Sequence, residues 1–160
     1  MRRGAFVALA VSVFAMLLAT VPTGTWAKDK DRDVEHPDGD EEAVTVEVRI
    51  IRASNEGGGV DPSLQDLRDR FARFSWTSYR LVGTRTLRLG PGEEGSVPLP
   101  NGDVFRLRDM TLGGGRARMT VGTAAVVLKV SLADDGTVVV GGLKEGGGDS
   151  ELMVAVTADF

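Results

Sequence analysis

The chain has no cysteine. Thiol catalysis, cysteine metal sites and a disulfide scaffold are excluded. Small secreted domains often rely on disulfides, so this one must hold together by its core alone. Histidine is nearly absent as well, with His36 the only one in 160 residues. One imidazole makes no histidine-based zinc site, and residues 43–160 hold none for a histidine-based triad. Basic charge is not in excess: 19 Lys and Arg stand against 23 Asp and Glu, for a net charge of −4. Strong attraction to nucleic acid or to an anionic membrane surface is not expected. Long apolar runs are missing too, with one exception near the N-terminus.

That exception is residues 5–21. The run follows Arg2 and Arg3 and precedes Thr25-Trp26-Ala27, which sets small residues at the −3 and −1 positions of a cleavage site. A positive start, an apolar centre and a small-residue site read as a signal peptide. The rival is a retained membrane anchor, but about 17 apolar residues lie at the short limit for a span of roughly 20. Pro22 and Gly24 break the run. With no cysteine beside the cleavage point, lipid attachment by the lipoprotein route is excluded. Cleavage after Ala27 leaves 133 residues, expected in a periplasm or the extracellular medium, with no membrane insertion afterwards.

Residues 28–42 read KDKDRDVEHPDGDEE, with eight acids, three bases and one aliphatic residue, Val34. So little apolar surface cannot offset the entropy of ordering the segment, and it reads as a disordered acidic leader. Asp29, Asp31 and Asp33 alternate as calcium-loop ligands do. However, Val34 stands where the loop needs glycine, and no helix flanks it. No cofactor is expected. From residue 43 onward there are 14 bases and 15 acids, so the remainder, residues 43–160, is close to neutral and long enough for one domain.

Val44, Val46, Val48 and Ile50 alternate with Thr45, Glu47 and Arg49, the period of a strand. Glu56-Gly57-Gly58-Gly59 ends it. Asp61 before Pro62 reads as a helix cap and first helical residue. Leu64, Leu67, Phe71 and Phe74 then recur at helical spacing, predicting an amphipathic helix of about three turns that ends near Arg73. Strands are expected over residues 79–89, at Val97 and Leu99, and over 104–108, 116–121, 124–132, 137–140 and 151–157. Asn101-Gly102 and Asp134-Asp135-Gly136 are turn signals, and Gly141-Gly142 reads as an interruption. The expected fold is mainly β: a small antiparallel sandwich or partly open barrel with one packed amphipathic helix.

Residues 135–143, DGTVVVGGL, followed by residues 151–157, ELMVAVT, resemble the closing hairpin of the outer-membrane secretin family. That family carries a similar glycine-ended strand and then a second strand in its gate region. The resemblance implies a link to an export system. It is local: Ala158-Asp159 stands where the family has proline after threonine. The chain also has no room for the family's ring domains or long barrel hairpins.

Reactive groups are sparse after the leader. Lys129 and Lys144 are the only lysines there, and Lys129 alternates so as to point to water. Glu93/Glu94 and Asp134/Asp135 fall in turns, where carboxylate pairs are ordinarily solvated. Gly113-Gly114-Gly115 leads into Arg116, not into a phosphate-loop lysine. Gly57-Gly58-Gly59 precedes Asp61, which would repel phosphate.

Two surfaces remain. Trp76 and Tyr79 follow the helix among Ser75, Thr77 and Ser78 and could stack on a sugar. Arg106 and Arg108 share one strand face, as do Arg116 and Arg118. If their strands are neighbours, the four arginines form a positive stripe, unless Asp and Glu stand opposite them. The expected function is a noncatalytic envelope domain that binds a partner protein or itself. Binding of a carbohydrate through Trp76 and Tyr79 is the alternative, and a carboxylate-based hydrolase is the third reading. An acidic partner, an anionic polysaccharide or the chain's own acidic leader, residues 28–42, would suit the arginines.

Overall fold

The computed structural model describes residues 43–146 and 148–160. The expected signal peptide and acidic leader, with Asp29, Asp31, Asp33 and His36, lie outside them.

Two sheets carry the fold. The elements are β1 (Val44–Ser54), β2 (Gly59–Val60), a 3-10 segment (Pro62–Leu67) running into α1 (Arg68–Phe71), β3 (Ser78–Leu89), β4 (Gly95–Pro98), β5 (Val104–Leu112), β6 (Arg116–Gly122), β7 (Val127–Ala133), β8 (Gly136–Lys144) and β9 (Ser150–Asp159). The order β2-β3-β1-β9-β8 makes a five-stranded sheet, and β4-β5-β6-β7 makes a smaller four-stranded one. All pairings are antiparallel except β2 with β3. The larger sheet curls as a half-barrel, the smaller stays open, and the helical segment packs on the larger. The expected mainly β architecture with one packed helix is therefore what forms. No helix among the described residues is long and apolar enough to cross a membrane.

The alternation in β1 explains the layers. Val44, Val46, Val48 and Ile50 face the four-stranded sheet and meet Phe105, Leu107, Met119 and Val121 in the main core. Ile51 and Ala53 face the other way, into a second cluster with Leu64, Leu67, Phe71, Met153 and Ala155. In β9, Leu152 to Val156 are buried without a break. A strand covered on both faces loses its polar alternation and reads as a continuous apolar run.

The helix is shorter and tighter than its spacing suggests. Leu64 and Leu67 are three apart and lie in the 3-10 segment; Phe71 follows four later at the end of α1. Three residues per turn and then 3.6 keep all three on one face. Asp61 caps the segment, accepting from Ser63 N at 3.0 Å and Ser63 Oγ at 2.7 Å. Phe74 lies beyond the end of the helix, half-buried, with its N–H on the Phe71 carbonyl at 2.9 Å. The three-turn helix ending near Arg73 is thus corrected to a helical segment ending at Phe71.

Gly141-Gly142 does not end its strand either. β8 runs through to Lys144, and the β8–β9 register shifts between Val140 and Leu143. Gly142 has φ 85°, a conformation open to glycine with little cost. The pair is a bulge inside the strand.

Candidate functional site

The outer face of the four-stranded sheet gathers the arginines. Phe105 and Leu107 in β5 turn inward, which leaves Arg106 and Arg108 outside. Ala117, Met119 and Val121 in β6 do the same for Arg116, Arg118 and Thr120. The register lays these residues out in rows. Arg106 stands opposite Gly122, which stands opposite Val127. Arg108 pairs with Thr120, and Thr120 with Lys129. Thr111, Arg118 and Ser131 make the next row, and Arg116 faces Ala133 in the last. Residues directly opposite on one face have Cβ atoms about 5 Å apart, and diagonal neighbours about 7–8 Å.

The four arginines therefore share one face, and Lys129 joins them. The four strands hold five bases and a single acid, Asp109. No Asp or Glu is the cross-strand partner of any of the five. Among the described residues, salt bridges join Arg49 to Glu47 and Asp66, and Arg52 to Glu145; none reaches this face. Neutral acceptors brace two of the arginines. Arg116 donates from Nε to Ser131 Oγ and from Nη2 to the Ser131 carbonyl, both at 2.8 Å. Arg118 donates to the Gly113 carbonyl at 3.5 Å. Thr120 is buried although it points outward, because the long stems beside it cover it.

Two shallow depressions open on this face. One, of about 390 Å³, is lined by Arg118, Lys129, Thr120 and Asp109 among others. The second, of about 260 Å³, is lined by Arg106, Arg108, Thr120 and Thr123 among others. Each has two bases at its wall, and Asp109 is the one carboxylate in either lining. Asp109 sits at a bulge, where the β5–β6 register shifts and its own φ is 55°. The shift lets Met110 turn into the core.

The aromatic pair goes elsewhere. Tyr79 is 3% exposed, and its ring stacks on Phe71 with centroids 4.1 Å apart and planes 8° from parallel. Its hydroxyl donates to the Phe71 carbonyl at 3.2 Å, and burial pushes the phenol pKa up. Trp76 is half-buried against the same cluster. Tyr79 is thus corrected from a surface candidate to a core residue, because the start of β3 passes beneath the helical segment. Trp76 and Tyr79 form no exposed stacking platform, and the arginines occupy the other sheet.

The remaining charged groups brace the fold. Arg49 grips Asp66 with two bonds, Nη1 to Oδ1 at 2.9 Å and Nη2 to Oδ2 at 2.7 Å. That bond is the main cause holding the Asp66 carboxyl below the usual carboxylate range. Arg52 lowers Glu145 in the same way. Glu93 accepts from Gly90 N at 2.8 Å, and Asp134 from Phe160 N at 3.0 Å, so these turn carboxylates serve the backbone. No family model matches the chain, and neither a curated protein nor a solved structure matches it. Lys129 was hidden as a member of the arginine face. Its outward phase is visible in the sequence, but its row depends on the β6–β7 register.

Proposed function

We propose that the chain is a noncatalytic interaction domain of the cell envelope, exported to the periplasm or the medium, which binds an acidic partner protein. The observation that carries this reading is the outer face of β4–β7, with five bases, one acid and, among the described residues, no ion pair on it. The five bases stand diagonally and never directly opposite one another, so the sheet tolerates them, and a face left positive among the described residues suits an anionic surface. The lack of cysteine and the single histidine in the leader support the noncatalytic half of the reading.

The test compares the parent chain with a variant in which Arg106, Arg108, Arg116 and Arg118 are replaced by alanine. Both serve as bait for envelope proteins of the producing organism, and both are titrated with polyglutamate and with an anionic polysaccharide. Exposed ion pairs contribute about 0.2–1 kcal/mol each, so loss of four should weaken binding by about fourfold to about a thousandfold. Raising salt should weaken the parent in parallel. Equal binding by parent and variant would sink the reading. Saturable polysaccharide binding that is abolished by Trp76→Ala, with no protein captured, would favour a carbohydrate ligand instead.

A further inference from the structure

The margin of the cationic face is an open strand edge. Among the described residues, β7 pairs with β6 on one side and ends the four-stranded sheet on the other. Its start is unusually bare: Val127 is 54% exposed and Leu128 41%. With Val82 they are the large apolar residues exposed among the described ones. The two side chains lie on opposite sides of the sheet. Val127 belongs to the outer face, in the row of Arg106, while Leu128 stands opposite inward-facing Val121. The free stretch ends near Ser131, whose carbonyl Arg116 already holds at 2.8 Å.

Resting on the proposed function, we infer that residues 127–130 accept an extended segment of the acidic partner as an added fifth strand. An unpaired edge offers N–H and C=O groups to such a segment, and alternate side chains then set its specificity. Acids at every second position would lie on the outer face, next to Lys129 and within reach of Arg118. Apolar residues between them would cover Leu128 on the inner side. The charge also decides against a second copy. Pairing β7 with the β7 of another chain would bring ten like charges onto one continuous face, five from each, and a Lys at the middle of an edge strand guards against such pairing.

The probe is a blocked peptide of about seven residues alternating Glu and Val, the span of a typical strand, titrated against the purified full chain. Two further peptides carry N-methyl groups, one on the Glu nitrogens and one on the Val nitrogens. Alternate residues of a strand present their N–H groups to opposite edges, so only one methylated peptide should lose the new ladder. That peptide should bind about tenfold more weakly or worse, the value of one or two hydrogen bonds. Lys129→Glu should weaken the parent peptide by at least about tenfold through charge reversal. Amide exchange should slow on binding at the alternate residues of 127–130 whose N–H groups face the free edge. Equal behaviour of the two methylated peptides would overturn strand addition. If polyglutamate still bound, and depended on the arginines, the cationic-face reading would stand while the edge proposal fell. If no acidic probe bound at low salt, both would fall. Self-association blocked by Lys129→Glu would name a second copy as the occupant and overturn the acidic segment.

Discussion

Leu67→Ala tests the contact between the helical segment and the larger sheet. Leu67 is 1% exposed and packs among Ile51, Leu64, Phe71 and Met153. Truncation removes about three methylene equivalents, worth roughly 2.5 kcal/mol at about 0.8 each. Any cavity that fails to collapse adds about 24 cal/mol per Å³. Leu64 and Phe71 sit on rigid turns to either side, and Ile51 and Met153 are fixed in the two central strands, so collapse should be incomplete. The expected loss is about 3–4 kcal/mol, within the range of about 2–5 for such sites. The assay is urea unfolding followed by fluorescence of Trp76, which packs on the same cluster. Val127→Ala is the control: its site is exposed, and it should change stability by less than about 0.5 kcal/mol. A Leu67→Ala loss below about 1 kcal/mol would refute the reasoning and place the segment outside the cooperative core.

Intact mass of the exported protein should show Lys28 as its first residue; a full-length mass in the membrane fraction would defeat export with cleavage. Deleting residues 28–42 should leave the melting temperature of the remaining chain nearly unchanged, and a large loss of cooperativity would show that the leader packs on the domain. Asp66→Asn should destabilise at neutral pH by no more than an exposed ion pair, about 1 kcal/mol or less. Because Asp66 has a lowered pKa in the folded state, its contribution is present above the ordinary carboxylate pKa of about 4 and fades as pH falls through the folded value. Parent and variant stabilities should therefore converge in acid, and a gap that held or widened there would argue against the Arg49–Asp66 grip. Tyr79→Phe should cost about 0.5–1.5 kcal/mol for the lost bond to the Phe71 carbonyl, as read by the same urea titration, and an unchanged midpoint would put that bond outside the stability of the cluster.

The strands were legible where one face is wet. Val44 to Ile50, Val104 to Arg108 and Arg116 to Val121 alternate because each has a polar side to show, and the phases of the last two put Arg106 with Arg108, and Arg116 with Arg118, on one face of each strand. Legibility failed where both faces are covered or the backbone bends. Beyond Ile50, β1 is flanked by both cores and its period dissolves at Ile51. Leu64, Leu67 and Phe71 marked the buried stripe, yet spacings of three and four serve a 3-10 turn and an α-turn alike, so the type of helix could not be read. Gly141-Gly142 looks like a stop in one dimension and is a bulge in three. Tyr79 sits among serines and threonines, the composition of an exposed loop, and only the helical segment lying over β3 makes it internal. Which residues neighbour each other across strands depends on long-range register, and so Lys129 and the open edge of β7 entered only with the structure.

The pairing of Thr45 with Asp159 and of Ser54 with Ser150 puts the earliest and latest strands of the domain side by side at the centre of the larger sheet. That order governs timing. A chain that has been synthesised only as far as β8 has β1 with one free edge, and both cores are incomplete, because Leu152, Val154 and Val156 of one and Met153 and Ala155 of the other have not arrived. Long-range closure is slow in any case. Until β9 is made the domain cannot complete either core, so its folding is expected to finish late in synthesis.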